Sequence, residues 1–360
     1  MSPDPDLRVD IVYLWVNGSD PVWRRKRQRA AARLSATHRN GMALYGNVEG
    51  RFRDNDELRY SLRALARFFP DHGHIYVVTD NQVPAWLQPS SGLTLIDHRD
   101  LIPADRLPTF DSGNIESYIH RIPNLSERYF YFNDDVFFGA PVRLEDWFYD
   151  GGTFVAWSDD PVVSNEPLRA DATALENACR LSNQWLGGKP SVNALIDGGT
   201  ASVTPYEPVF RTFAHSPRPM LKSRLRKLEK LAPELFASVR STVFRAWDKP
   251  TIVSDFVLRW ALAHGQAQVC QHTHVYLSTG DSAMGDLADL DDQLDTLIDA
   301  VGKLDFFCIN DTTDDALAHD PRLGRVREAL QKIFPEPSIF ERQNLVECRV
   351  STQPQEMSVV

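Results

Sequence analysis

Strand-like and helix-like segments alternate along residues 9–157, and this alternation limits the possible folds more than any other feature. Runs of β-branched and aromatic residues predict strands over 9–18, 74–80, 93–98, 129–138 and 152–157. Between them, helices are predicted from Asp20-Pro21 to about Ala36, over 54–70 and over 113–123. This order predicts an α/β fold with a mostly parallel sheet. Ligands of such sheets bind beyond the carboxyl ends of the strands.

The pattern changes after residue 165 and becomes mainly helical. Helices are predicted over about 170–186, 221–238, 251–264, 291–301 and 322–334, with a short strand over 305–311. The chain is therefore divided into an α/β core (1–165), a mainly helical region (166–304), a C-terminal strand and helix (305–345) and a tail (346–360).

Composition excludes one class of partner. The formal net charge of the 360 residues is −10, which argues against nucleic-acid binding. Basic clusters over 24–33 and 218–230 are most simply solvated faces, but attraction to phosphates or to an anionic membrane surface stays open.

Cellular location is predicted from three further features. The four cysteines are dispersed, which predicts reduced thiols. The segment "MSPDPDLRVD" lacks the basic and apolar parts of a secretory signal. No apolar run reaches the roughly 18 residues of a membrane span. These features predict a cytoplasmic protein, with peripheral association at the inner face of a membrane left open.

Polar residues at predicted strand ends are the first candidates for a site. In "FNDD", Asn133, Asp134 and Asp135 interrupt an aromatic run. Mg²⁺ takes one or two carboxylates and completes its shell with water and phosphate oxygens. Neighbouring residues of a strand point to opposite faces, so we expect only one aspartate to face a ligand. A purely structural pair is the alternative.

Two other segments carry candidate groups. In "WVNGSDP", Trp15 can stack on a base while the backbone near Gly18 and Ser19 meets a phosphate, or the segment is only a tight turn with a helix cap. In "RFRDNDELRYSL", helix capping explains the carboxylates but not the arginines. His215 lies in a proline-rich loop, where it is either a general acid or base or an ordinary exposed histidine.

Five blocks taken together resemble a known family. They are "DIVYLWVNGSDP", "RFRDNDELRYSLRAL…HIYVVTDNQVPAWL", "IESYIHRIPNLSERYFYFNDDVFF", "AHSPRPM" and "FFCIND…FPEPSIFE". In this order they resemble the conserved regions of the Stealth family of sugar-phosphate transferases, over roughly residues 9–341. That family includes bacterial capsule polymerases and the catalytic subunit of N-acetylglucosamine-1-phosphotransferase.

The resemblance implies a glycosyltransferase-A-like (Rossmann-like) fold with a helical addition on the acceptor side. It implies transfer of a sugar-1-phosphate, usually N-acetylhexosamine-1-phosphate from a UDP-sugar such as UDP-GlcNAc, to an acceptor hydroxyl. UMP would be released and Mg²⁺ or Mn²⁺ required, in capsule or exopolysaccharide synthesis. The partners implied are the UDP-sugar and a glycan acceptor, and a homo-oligomer stays open.

The resemblance also assigns site residues by motif. Catalytic positions fall on Glu116, Asp135, His215 and Arg245, and metal positions on Asp135 and Asp311. The expected substrate-binding residues are Trp15, Val16, Asn17, Gly18, Ser19, Asp20, Arg53, Asn55, Glu57, Arg59, Asn133 and Asp134. The alternatives are a metal-dependent glycosyltransferase that releases UDP, and a non-catalytic protein that binds sugar nucleotides or glycans.

Overall fold

A computed structural model describes residues 8–188, 206–280, 287–314 and 320–342. The strands are β1 (Val9–Leu14), β2 (Ile75–Thr79), β3 (Leu93–Asp97), β4 (Arg128–Asn133), β5 (Val136–Phe138), β6 (Phe148–Tyr149), β7 (Gly152–Val155), β8 (Arg218–Leu221), β9 (Ala267–Val269), β10 (His274–Ser278) and β11 (Phe306–Asn310). The α-helices are α1 (Pro21–Arg33), α2 (Ala36–Asn40), α3 (Glu57–Phe68), α4 (His98–Leu101), α5 (Ser112–Glu116), α6 (Ala174–Gly188), α7 (Lys222–Leu231), α8 (Pro233–Val239), α9 (Val257–Ala263), α10 (Ala288–Ala300) and α11 (Pro321–Ile333). A π-helical turn, Ile252–Phe256, precedes α9, and 3₁₀ turns cover Gly50–Phe52, Ala104–Arg106, Ile119–Arg121 and Leu144–Asp146.

The main sheet has the strand order β3-β2-β1-β4-β8. Its first four strands are parallel and β8 runs antiparallel to β4. The α/β fold with a mostly parallel sheet and a helical addition is therefore confirmed. Leu14 pairs with Asn133, so β1 and β4 end side by side at the same edge of the sheet.

The single strand predicted over 129–138 is wrong. Strand β4 ends at Asn133, and β5 begins at Val136 in a different sheet of order β10-β11-β5. Asp134 and Asp135 form the turn between the two sheets, and the Ile309 N–H donates to the Asp135 carbonyl across the gap (3.0 Å). Because the aspartates are outside both strands, strand alternation does not direct them to opposite faces.

Two further sequence predictions are wrong, one about the sheet of a strand and one about the length of a helix. Strand β7, predicted to follow in the main sheet, belongs to a small sheet of order β6-β7-β9. The helix predicted over 221–238 is divided between α7 and α8, since Pro233 lacks an N–H and begins the second helix. Strand β8, which sequence reasoning missed, comes from the region predicted to be helical.

Aromatic residues of β4 cover both faces of the main sheet. Phe130 and Phe132 pack in one hydrophobic cluster, while Tyr129 and Tyr131 pack in the other. Complete burial of each ring contributes about 1.5–3 kcal/mol. A central strand buried on both faces is typical of parallel sheets, and it holds the turn at Asp134 in a fixed position.

Three findings concern the location predictions. In the part of the chain that the structure describes, no helix combines the length and apolarity needed to cross a membrane. Cys179, Cys270 and Cys308 are free thiols, whereas Cys348 lies outside the described residues. The predicted tail (346–360) also lies outside them, and the division into regions stays a prediction.

Candidate active site

A cavity of about 780 Å³ opens at the carboxyl edge of the main sheet. The residues that follow β1, β4 and β11 line it, together with the start of α5 and the segment before β8. All five residues that the resemblance assigns to catalysis or metal binding lie on its wall: Glu116, Asp135, His215, Arg245 and Asp311. They come from five separate segments of the sequence, so folding alone brings them together. Their roles stay predictions.

Carboxyl groups form part of the cavity lining. Burial raises the pKa of Asp135 to about 6, although a hydrogen bond from the Cys308 thiol lowers it. Burial and then the neighbouring Asp135 and Glu57 raise the pKa of Asp134 well above its usual value. Burial, followed by repulsion from Asp54, raises the pKa of Glu57 to about 8. Burial thus disfavours the ionised form of these carboxyl groups, and a positively charged ligand would favour it.

These carboxyl groups fit a hard divalent cation. Asp135 Oδ1 is buried and has no hydrogen-bond partner among the described residues, while Oδ2 lies 3.6 Å from Cys308 Sγ. Oxygen ligands are those that Mg²⁺ prefers. No group of three or more His, Cys, Asp or Glu side chains is arranged for a metal in the described ranges, so water and phosphate oxygens would complete the shell.

Asp311 is less suited to a metal than Asp134 and Asp135. Its Oδ2 accepts from Arg53 Nη1 (2.5 Å) and from Asn55 Nδ2 (3.3 Å). Its Oδ1 accepts from the N–H and hydroxyl of Thr313 (3.0 and 2.6 Å). A cation at Asp311 would have to displace some of these donors. In the structure, Asp311 forms an ion pair with Arg53 that joins the end of β11 to the segment before α3.

The cavity lining also includes two arginines that meet at one hydroxyl group. Ser112 Oγ lies 2.6 Å from Arg245 Nη2 and 3.2 Å from Arg51 Nη2. Arg245 Nε is 3.7 Å from Asp111, and no carboxylate within the described residues forms an ion pair with Arg51. Burial and then the charge of Arg245 lower the pKa of Arg51 to about 9. Two like charges held together in this way favour an anion between them.

His215 lies on the cavity wall rather than on an exposed loop. Its ring is 5.2 Å from the ring of Tyr276. Burial, reinforced by Arg218 and Arg245, lowers the pKa of His215 to about 3. The imidazole is therefore neutral near pH 7 and has a free lone pair that can accept a proton.

Glu116 is almost completely buried at the end of α5. Its Oε1 accepts from the Tyr131 hydroxyl at 2.9 Å, and Asn133 Oδ1 lies at the same distance from that hydroxyl. Ser254 Oγ is 3.4 Å from Oε2. These contacts connect Glu116 to β4 and fix the direction of its carboxylate.

The expected substrate-binding residues divide into two groups. Those that line the cavity are Trp15, Val16, Arg53, Glu57, Asn133 and Asp134. Those that the structure places outside its lining are Asn17, Gly18, Ser19, Asp20, Asn55 and Arg59.

The second group has visible structural contacts. Asp20 caps α1 by accepting from the N–H groups of Val22 and Trp23 (2.7 and 2.9 Å). Gly18 allows close approach, since a Cβ there would lie 2.3 Å from the Phe52 carbonyl oxygen. Arg59 Nε donates to Glu341 at 2.5 Å. The segment 17–20 thus behaves as the turn and helix cap that the sequence also allowed.

Sequence reasoning missed the roles of Arg51, Ser112 and Tyr131. The surplus of arginines in "RFRDNDELRYSL" was the one available signal, because capping did not account for it. No such signal was present in the sequence for Ser112 and Tyr131, because their hydrogen bonds are to residues that are distant in sequence.

The fold and the cavity define an α/β protein with one large cavity that is lined by both carboxyl groups and arginines. Three family models match the chain: Stealth protein conserved region 1 over residues 7–35, conserved region 2 over 51–155 and conserved region 4 over 302–349. The chain belongs to the Stealth family, as the resemblance predicted.

Curated relatives carry phosphotransferase names. An exopolysaccharide phosphotransferase of Streptomyces coelicolor is 34% identical over 348 residues, which are 94% of this chain and 33% of the relative. One from Mycobacterium leprae is 31% identical over 346 residues, 94% of this chain and 58% of the relative. A capsular polysaccharide phosphotransferase of Actinobacillus suis is 39% identical over 183 residues, 49% of this chain and 48% of the relative. The chain thus spans between a third and three fifths of the length of these relatives.

A solved structure of the galactosyltransferase LgtC with donor and acceptor sugar analogs is also similar. It is 12% identical, with a TM-score of 0.42, over 92% of this chain and 98% of that one. A likeness this distant carries no argument about ligand or activity.

Proposed function

We propose that the chain transfers a sugar-1-phosphate, N-acetylhexosamine-1-phosphate in the first instance, from a UDP-sugar to a hydroxyl group of a glycan acceptor. UMP is the second product, and the reaction belongs to capsule or exopolysaccharide synthesis. The names of the relatives support the reaction class. The observation that carries the proposal is one cavity lined both by buried carboxyl groups and by two arginines that share one hydroxyl group.

The bonds in this reaction change at phosphorus. The acceptor oxygen forms a bond to the sugar-bearing β-phosphorus, and the bond from that phosphorus to the bridging oxygen breaks. The bridging oxygen leaves with UMP, while the bond between the anomeric carbon and its oxygen stays intact. The anomeric configuration is therefore retained. Phosphoryl transfer of this kind depends mainly on positioning and on charge stabilisation.

Several residues of the cavity lining have a part in that reaction. Arg51 and Arg245 bind the phosphoryl oxygens and stabilise the charge that develops on them. His215, neutral near pH 7, accepts the proton of the acceptor hydroxyl. Glu116, oriented by Tyr131, binds sugar or acceptor hydroxyl groups. Asp134 and Asp135 are the residues that would hold Mg²⁺ or Mn²⁺, whose charge would offset that of the diphosphate.

Nucleotide product analysis tests this proposal. The chain is incubated with UDP-GlcNAc, Mg²⁺ and a glycan acceptor, and nucleotides are separated by anion-exchange chromatography. We expect UMP in amounts equal to the sugar phosphate gained by the acceptor. UDP as the sole nucleotide product would instead identify an ordinary glycosyltransferase, and no turnover with retained UDP-sugar binding would identify a binding protein.

A further inference from the structure

A second concave surface, the α1 groove, lies beside the active-site cavity. It has a volume of about 700 Å³, and its lining includes three arginines of α1 and an apolar floor. The arginines are Arg25, Arg29 and Arg33. They are exposed and recur every four residues, so they form one stripe with a rise of about 6 Å between successive side chains.

The basic residues of α1 fall into two sets. Arg24, Lys26 and Arg27 each have a carboxylate partner: Glu49 at 3.0 Å, Asp80 at 2.6 Å and Glu49 at 3.2 Å. The three arginines of the stripe have no hydrogen bond or ion pair to any described residue. Among the described residues, these three neighbouring cations on one helix face thus have no ion-pair partner, in a chain of net charge −10.

The floor of the α1 groove is made by small apolar groups. Val22, Ala30, Leu34, Pro108 and Val243 line it, and Val22 is 68% exposed. Apolar side chains can pack against the C–H faces of sugar rings, while guanidinium groups bind phosphate with two hydrogen bonds. Together they match a ligand that alternates sugar and phosphate.

The α1 groove and the cavity share a wall. In three chain segments, a residue that lines the groove is followed within two residues by one that lines the cavity: Val22 and Trp23, Pro108 and Thr109, and Val243 and Arg245. The wall is an aromatic cluster in which the Trp23 ring is 5.3 Å from the Phe110 ring. The α1 groove therefore adjoins the cavity, separated from it by this cluster.

We propose that the α1 groove binds an anionic, phosphate-bearing glycan, namely the growing chain beyond the unit that reacts. This inference rests on the proposed function, because transfer of a sugar-1-phosphate leaves one negative phosphodiester in the product at each step. Exposed ion pairs contribute up to about 1 kcal/mol each, so three of them hold a product chain about tenfold to a hundredfold more tightly.

The test measures binding separately from turnover. A fluorescently labelled, synthetic hexose oligomer joined by phosphodiesters is titrated with the full chain, and anisotropy is recorded. The triple variant R25Q/R29Q/R33Q should bind about tenfold to a hundredfold more weakly. R226Q/K227Q/K230Q, which removes the same charge from α7, should bind like the wild type. R29E alone should also weaken binding, and thermal unfolding of each variant checks that it is folded.

Five results would separate the interpretations. Unchanged binding by the triple variant, or no binding by the wild type, would overturn the proposal. Equal binding of a phosphate-free oligomer would overturn the ionic part of it. If the triple variant lost binding to phosphatidylserine vesicles but still bound the glycan like the wild type, the stripe would be assigned to a membrane. That result would also overturn the proposal. Stripe-dependent glycan binding without UMP release would support the groove while contradicting the proposed reaction.

Discussion

At the scale of single residues, the site holds like charges close to one another. Asp134 interacts with Asp135 and Glu57, and Arg51 and Arg245 meet at Ser112. Each set of like charges would be more stable with a counter-charge supplied by a ligand. Substitutions that remove one charge should therefore change activity and stability in opposite directions.

Asp135→Asn tests the carboxyl groups. We expect UMP release to fall by about 10²–10⁴-fold, because a positioned carboxylate is lost. The melting temperature should rise or stay constant, since the uncompensated charge next to Asp134 is removed. Turnover and thermal unfolding are measured together. The exposed Asp150→Asn is the control, and a D135N variant with normal turnover would remove Asp135 from the site.

Arg51→Gln tests the arginine that sequence reasoning left without a role. The value of kcat/KM for UMP release should fall by about 10²–10³-fold, because one donor to the phosphoryl oxygens is removed. The melting temperature should not fall, since the described residues offer Arg51 no carboxylate partner. Arg99→Gln, at an exposed arginine, is the control. A loss of stability with unchanged kinetics would show that Arg51 is structural.

The pH profiles of kcat/KM for the wild type and for His215→Ala show whether His215 is neutral or charged in the free enzyme. Burial and two arginines lower the pKa of His215 to about 3, so its protonation state does not change between pH 5 and 8. We expect H215A to lose about 10²–10⁴-fold in kcat while the acid limb of the kcat/KM profile keeps its wild-type position. An acid limb near the usual histidine pKa that vanishes in H215A would contradict this assignment.

At the scale of elements, predictions succeeded where local pattern and final burial agree. Strands β1 and β2 were predicted within a few residues because their apolar runs are buried, and the edge strand β3 buries Leu93 and Ile96 of its apolar residues. Strand β8 was missed because "RPML" contains a proline. The sheet accepts Pro219 because β8 is an edge strand, where a missing N–H does not interrupt a ladder on both sides. The break at Asp134 was missed because the aromatic pattern continues across it.

Helix α3 is held by a carboxylate from the far end of the chain. Glu341 accepts from Arg63 Nε at 2.7 Å and from Arg59 Nε at 2.5 Å. Burial would raise the pKa of Glu341, but the hydrogen bonds from Arg63, Ser338 and Arg59 outweigh it and lower that pKa to about 2. Arg59 joins α3 to the segment after α11, and its expected part in substrate binding stays a prediction.

Glu341→Gln should therefore lower the free energy of unfolding by about 3–5 kcal/mol, because it leaves the buried Arg63 without a counter-charge. The exposed Glu336→Gln, in the same segment, should have little effect. The folded pKa of Glu341 is depressed, so its contribution is present above the unfolded value of about 4.3 and is lost as pH falls toward 2. Urea unfolding from pH 6 to 3 should show a smaller loss of stability in E341Q than in the wild type.

At the scale of the whole molecule, the site exists only after distant segments meet. The turn at Asp134, the loop of His215, the segment of Arg245 and the end of β11 approach one cavity from different parts of the sequence. Composition and periodicity predicted the parallel sheet and its ligand edge. Asp135 and His215 were already candidates from the residues themselves, whereas Glu116, Arg245 and Asp311, each unremarkable alone, came from the resemblance. The pairing of Arg51 with Arg245 could not be predicted, because it depends on tertiary contact through Ser112.

The destination of the β-phosphorus tests the central claim most directly. UDP-GlcNAc radiolabelled at that atom is incubated with the chain, Mg²⁺ and a glycan acceptor, with D135N as the inactive control. If a sugar-1-phosphate is transferred, the label appears in the glycan in an alkaline-phosphatase-resistant form, and the released nucleotide is unlabelled UMP. Label found in UDP, with a glycan that has gained only sugar, would contradict the account.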